Sequence, residues 1–115
     1  MVNVEGITDD DMRSVLASTK RYTVLILRPG PNRHSEGADK IVWEHGRRNL
    51  ALRAEGALSV ILPVGGEADV SGIGVFGLDI DATREIVQGD PGVQAGVFVY
   101  ELYETRSFPG DALPG

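Results

Sequence analysis

The chain has 115 residues and a formal charge of −6, from 11 Lys and Arg against 17 Asp and Glu. That length fits one domain, and 42% hydrophobic with 24% charged residues fits a folded globular chain and excludes a disordered one. The acidic balance argues against nucleic acid, which needs a basic face, and zero cysteines exclude a disulfide scaffold, a thiolate nucleophile and thiolate metal sites. The start MVNVEGITDDD lacks the basic and apolar regions of a signal peptide, and no apolar run approaches the roughly 20 residues of a bilayer span. No membrane association and a cytoplasmic location are therefore expected.

A helix is expected over 8–20. Thr8 is a cap, Asp9, Asp10 and Asp11 suit the positive end of the helix dipole, and Met12, Val15, Leu16 and Thr19 form a narrow apolar stripe. The three aspartates read more simply as a helix start than as a metal site. YTVLILR (22–28) is a strand with apolar residues on both faces, stopped by Pro29-Gly30-Pro31. After a loop, a long helix runs from about Ala38 to Glu55, with Gly56 placed as its cap. ALSVILPV (57–64) and IGVFGLDI (73–80) form a hairpin across the Gly-rich segment 65–72. Asp81 is expected to cap a short helix to Gln88, Asp90-Pro91-Gly92 to turn, and VQAGVFVYELYE (93–104) to form the last strand. The tail TRSFPGDALPG carries no periodicity. This divides the chain into an N-terminal extension (1–21), a core domain (22–104) and a tail (105–115).

The core order is β-α-β-β-α-β, a ferredoxin-like α+β arrangement with both helices on one face of an antiparallel sheet. Such a sheet should alternate apolar and polar residues, yet Val24 and Ile26 oppose Leu25 and Leu27, and Val97 and Val99 oppose Phe98 and Tyr100. Two core helices cover one face only. Packing the second face on an identical sheet is the economical solution, so a homodimer is expected.

On the long helix, Ala38, Ile41, His45, Asn49 and Leu52 share the sheet-facing stripe, while Trp43, Arg47, Leu50 and Ala54 fall opposite. Two readings of His45 are open: a core histidine satisfied by a backbone carbonyl, or a general base whose protonation the surroundings tune. The topology favours the second, because it brings Asp90 to the same end of the sheet, where a carboxylate can orient the ring. Arg28, at the end of the first strand, is expected to offer charge to an anionic substrate group. Trp43 is expected to anchor the N-terminal helix or the tail. His34 reads as a solvated loop residue, and the two histidines have no metal-ligand spacing, so no metal is expected. Gly65-Gly66 and GIGVFG (72–77) precede no helix and read as hairpin and strand glycines rather than a phosphate loop.

The run HGRRNLALRAEG (45–56), then a strand, a hairpin, a short helix and DPGVQAGVF (90–98), resembles the YCII-related (YciI-like) domain family. His45, Leu52, Gly56, Asp90, Pro91, Gly96 and Phe98 match its pattern in order, over about residues 22–104. The resemblance implies a dimeric α/β barrel that dimerises through its sheets. It implies that His45 and Asp90 are the active-site pair, and one branch of the family resembles enzymes that dehalogenate hydroxylated aromatics. This chain departs at Asn49, where an apolar residue is usual, and at Leu62-Pro63, where glycine-proline is usual; Asn49 makes the pocket more polar and joins Arg28 as a candidate substrate contact. The expected function is a small enzyme without cofactor, using His45 and Asp90 for proton transfer on a small organic substrate, held between the long helix and the sheet. The alternative is a non-catalytic binding or assembly module of the same architecture.

Overall fold

The computed structural model describes residues 1–115. Helix α1 (Asp9–Ala17) is shorter at both ends than expected and opens on a capping box. The Thr8 hydroxyl accepts from the Asp11 amide at 3.0 Å, and the Asp11 carboxylate accepts from the Thr8 amide at 3.0 Å. The acidic run is accounted for as a helix start.

Strand β1 (Lys20–Pro29) leads through a loop to helix α2 (Ala38–Ala54). Gly56 follows α2 at φ 85°, a left-handed turn that costs a glycine little and releases the chain toward the sheet. Strands β2 (Leu58–Pro63) and β3 (Gly72–Phe76) form the expected hairpin. Helix α3 (Ile80–Gln88) starts earlier than expected, because Asp79 rather than Asp81 is its cap and accepts from the Ala82 amide at 2.8 Å. The expected strand 93–104 is corrected at its start. Residues Pro91–Gln94 form a helical turn, α4, and strand β4 spans Phe98–Ser107. The physical reason is local: Asp90 caps the turn and Pro91 occupies its first position, a pairing that nucleates helix rather than strand.

The four strands make one antiparallel sheet in the order β2-β3-β1-β4. This small α+β architecture, with split β-α-β connections, is consistent with a ferredoxin-like fold. Register assigns the faces. Thr23, Leu25 and Leu27 of β1 align with Phe76, Gly74 and Gly72 of β3 and with Glu104, Leu102 and Tyr100 of β4. That face carries the core of Leu25, Leu27, Leu58, Phe76, Val87, Val97 and Phe98, closed by Ala38 of α2. The opposite face presents Val24 and Ile26, with Ile73, Val75, Val99 and Tyr103, and no helix covers it. No residue of α1 is buried, so α1 covers neither face. No helix is long and apolar enough to cross a membrane.

Candidate active site

His45 sits midway along α2 on the sheet-facing stripe, its side chain 14% exposed. Its ring lies against Phe98, the first residue of β4, with centroids 4.8 Å apart and planes tilted by 53°. Asp90 arrives from the short connection between α3 and α4 and is buried, its side chain 5% exposed. One carboxylate oxygen, Oδ1, is 2.8 Å from His45 Nδ1. The other, Oδ2, accepts from the amides of Gly92 at 2.9 Å and Val93 at 3.2 Å. The residue that caps α4 is therefore the residue that holds the imidazole. Gly92 is required for this closure, since a Cβ there would stand 2.6 Å from the Phe98 ring and 3.0 Å from Asp90 Oδ2.

Burial opposes a charge on Asp90. The hydrogen bond and charge of His45, with the two α4 amides, outweigh that penalty and hold the carboxyl below the usual carboxylate range. An ionised Asp90 accepts from Nδ1–H, which fixes the ring tautomer and leaves Nε2 as the acceptor. The Asn49 amide, one helical turn on, lies 3.2 Å from Nε2 and can donate to it.

A cleft of about 570 Å³ opens between α2 and the β2–β3 end of the sheet. His45, Asn49 and Phe98 line it together with Leu25, Leu27 and Ile61. Asp90 does not line it. It lies behind the ring, next to a much smaller space shared with Val87 and Val93. His45 and Asn49 thus face the cleft, and Asp90 touches it only by way of the His45 ring.

The structure brings His45, Asp90 and Asn49 together, and it separates Arg28 from them. Side chains alternate along β1, so with Leu27 facing the helices Arg28 faces the uncovered side of the sheet. There Arg28 Nε donates to Glu101, Tyr103 Oη donates to the same carboxylate, and Asp69 lies 3.5 Å from the guanidinium. These partners raise the Arg28 pKa, while the hydrogen bonds from Tyr103 and Arg28 lower that of Glu101. Trp43 packs on neither α1 nor the tail as an anchor would. It is 70% exposed and, with Arg47 and Leu50, forms the lip of the cleft. Helical phase alone places this trio on the far side of α2. Its one sequence signal is two large apolar residues on a polar face. No group of three or more His, Asp or Glu residues converges as metal ligands do.

The chain matches no family model, and no curated protein matches its sequence. Among solved structures it is similar to the 5-chloro-2-hydroxyhydroquinone dehydrochlorinase of Burkholderia phenoliruptrix AC1100, in complex with 2,5-dihydroxybenzoquinone. The TM-score is 0.48 at 18% identity, and the match covers 70% of this chain and 90% of that one.

Proposed function

We propose that this protein is a small enzyme of the YCII-related type that moves a proton on a small organic substrate, with His45 as the acid-base group. The single observation that carries this reading is the pairing of His45 Nδ1 with a buried carboxylate, Asp90, while His45 and the Asn49 amide beside its Nε2 line an apolar cleft. A substrate O–H or activated C–H takes the place of the Asn49 amide at Nε2. The proton passes to Nε2, and the imidazolium so formed is stabilised by Asp90 without any movement of the pair. In an apolar surrounding that ion pair is stronger than in water, which favours the transfer. The proton then returns to another atom of the same substrate in an isomerisation, or leaves to solvent as a leaving group departs in an elimination or dehalogenation. Asp90 is a positioning residue and His45 the catalytic one. Arg28, on the other face, has no part in the cleft.

The working form is a homodimer through the uncovered sheet faces. Partly buried Val24, Ile26, Ile73 and Val75, which no helix covers, support it, together with exposed Val99 and Tyr103. An obligate interface of this kind buries more than about 2,000 Å² in total. A binding module without chemistry is the second reading, favoured by the mostly apolar surface of the cleft. The two are separated by incubating a panel of small hydroxylated aromatic and 1,3-dicarbonyl compounds in D2O and following deuterium uptake by proton NMR. Catalysed uptake that falls about 10²–10⁴-fold in His45→Ala supports the enzyme. Binding to the cleft with no catalysed uptake or conversion of any bound compound leaves the module.

A further inference from the structure

Helix α1 and the lip of the cleft are two apolar surfaces without partners in the same chain. In α1, Met12, Val15 and Leu16 are each more than half exposed, and the spacing puts all three on one stripe. Nine residues are too few to hold a helix in water on their own, since isolated helices shorter than about 12–15 residues are marginal even with good caps. The α1 stripe is thus an apolar face with nothing of its own chain packed on it. At the cleft, Trp43 and Leu50 are 70% and 60% exposed, and Arg47 lies between them on the same side of α2.

The junction between α1 and β1 is tied down at the end of the sheet away from the cleft. Ser18 and Thr19 are tied to the last turn of α1 by hydroxyl bonds to Val15 and Leu16 carbonyls at 2.6 and 2.8 Å. Arg106 at the end of β4 then donates to the Thr19 hydroxyl at 3.0 Å and to its carbonyl at 3.2 Å. Helix α1 joins the sheet at the start of β1, whereas the cleft opens toward the opposite end of the sheet, beside Pro63 and Gly72. Charge names the occupant. In a chain that is acidic overall, α2 carries Lys40, Arg47, Arg48 and Arg53 against two acidic residues, and α1 carries three aspartates against Arg13 alone.

We infer that α1 of one copy docks on the Trp43–Arg47–Leu50 lip of a second copy, so that each cleft is closed by a helix from its partner. Met12, Val15 and Leu16 cover the indole and Leu50, and the acidic first turn lies along the basic helix. A twofold axis running across the strands meets the geometry, because it sets the start of β1 in one copy beside the cleft end of the other. The inference rests on the twofold dimer proposed above and adds that each site is incomplete without the partner.

The chain holds one tryptophan and no cysteine, which makes the test clean. Acrylamide quenching of Trp43 is measured on the full-length protein at high micromolar concentration, on dilution, and in Met12→Glu/Leu16→Glu, whose substituted residues are exposed and leave the fold alone. Quenching should rise about threefold on dilution to monomer and in the double variant, in step with the area an indole loses on docking. Sedimentation runs in parallel. In a second experiment, Leu16→Cys and Leu50→Cys proteins are mixed and oxidised. Mass spectrometry then seeks a disulfide-linked peptide pair spanning the two substituted positions, which only two different chains can form. A dimer whose Trp43 is as open to quencher as in the double variant, with no mixed peptide, overturns the docking and leaves the sheet-face dimer standing. A monomer at every concentration overturns both.

Discussion

Replacing Asp90 with Asn tests the His45 partnership without changing volume. The Asn carbonyl oxygen can keep the two α4 amides that Oδ2 now accepts, since Asn caps helices as well as Asp does. The amide nitrogen then faces His45 Nδ1, 2.8 Å away, as a donor where an acceptor stood. The ring has to move its proton to Nε2, and the lone pair aimed at the cleft is lost. Exchanging a charge-assisted hydrogen bond for a neutral one of opposite direction costs about 1–1.5 kcal/mol. At about 4 °C per kcal/mol for a domain of this size, the melting temperature should fall by about 4–6 °C. Activity should fall much further, by up to about 10⁴-fold, the scale of a wrong tautomer at a positioned histidine. The pH dependence carries a definite sign. Asp90 is held below its unfolded value of about 3.9, so its stabilisation is present above that value and is lost as pH falls through the lower folded one. Thermal melts from neutral pH into acid should therefore show the gap between wild type and Asp90→Asn closing below about pH 4. A gap that stays constant into strong acid, or a variant with wild-type turnover, would refute the reasoning.

The same geometry makes three more outcomes measurable. Gly92→Ala pushes a methyl group into Phe98 and Asp90 Oδ2, and should destabilise by about 1–3 kcal/mol in urea titrations while weakening turnover through the displaced carboxylate. Val99→Glu places a charge on the uncovered sheet face, so sedimentation should show a folded monomer with an unchanged circular dichroism spectrum; an unfolded chain would place Val99 in the core instead. Arg28→Met removes the guanidinium from Glu101 and Asp69 but leaves the cleft intact, so deuterium uptake by a substrate should match wild type at saturating dimer concentration.

The long helix was legible because one period of 3.6 residues sorts Ala38, Ile41, His45, Asn49 and Leu52 onto a single stripe, and the structure places those residues inward. The topology then brought Asp90 to His45 on chain direction alone. What pattern could not read was facing. Strand β1 is apolar on both sides, so its alternation says which residues go together but not which set meets the helices, and Arg28 falls on the far side for that reason. The turn α4 is too short for any period to announce it; its capping aspartate and Pro91 were visible, but the β-branched residues after them read as strand. Phase assigns Trp43 and Leu50 outward, and both are exposed. That an outward position is also the lip of a cleft depends on how far α2 stands off β2 and β3, a tertiary quantity with no local signature.

Which nitrogen of His45 carries the ring proton decides whether the pair can work as a base. A nitrogen-15 spectrum of imidazole-labelled protein, recorded where the ring holds a single proton, reads this directly. Protonated Nδ1 with an unprotonated Nε2 is the expected result, with the Nδ1 proton shifted far downfield by Asp90 and absent in Asp90→Asn, where the ring proton moves to Nε2. A ring protonated at Nε2 in the wild-type protein would contradict the proposed chemistry, because the atom facing the cleft would then be a donor with no lone pair to accept a proton.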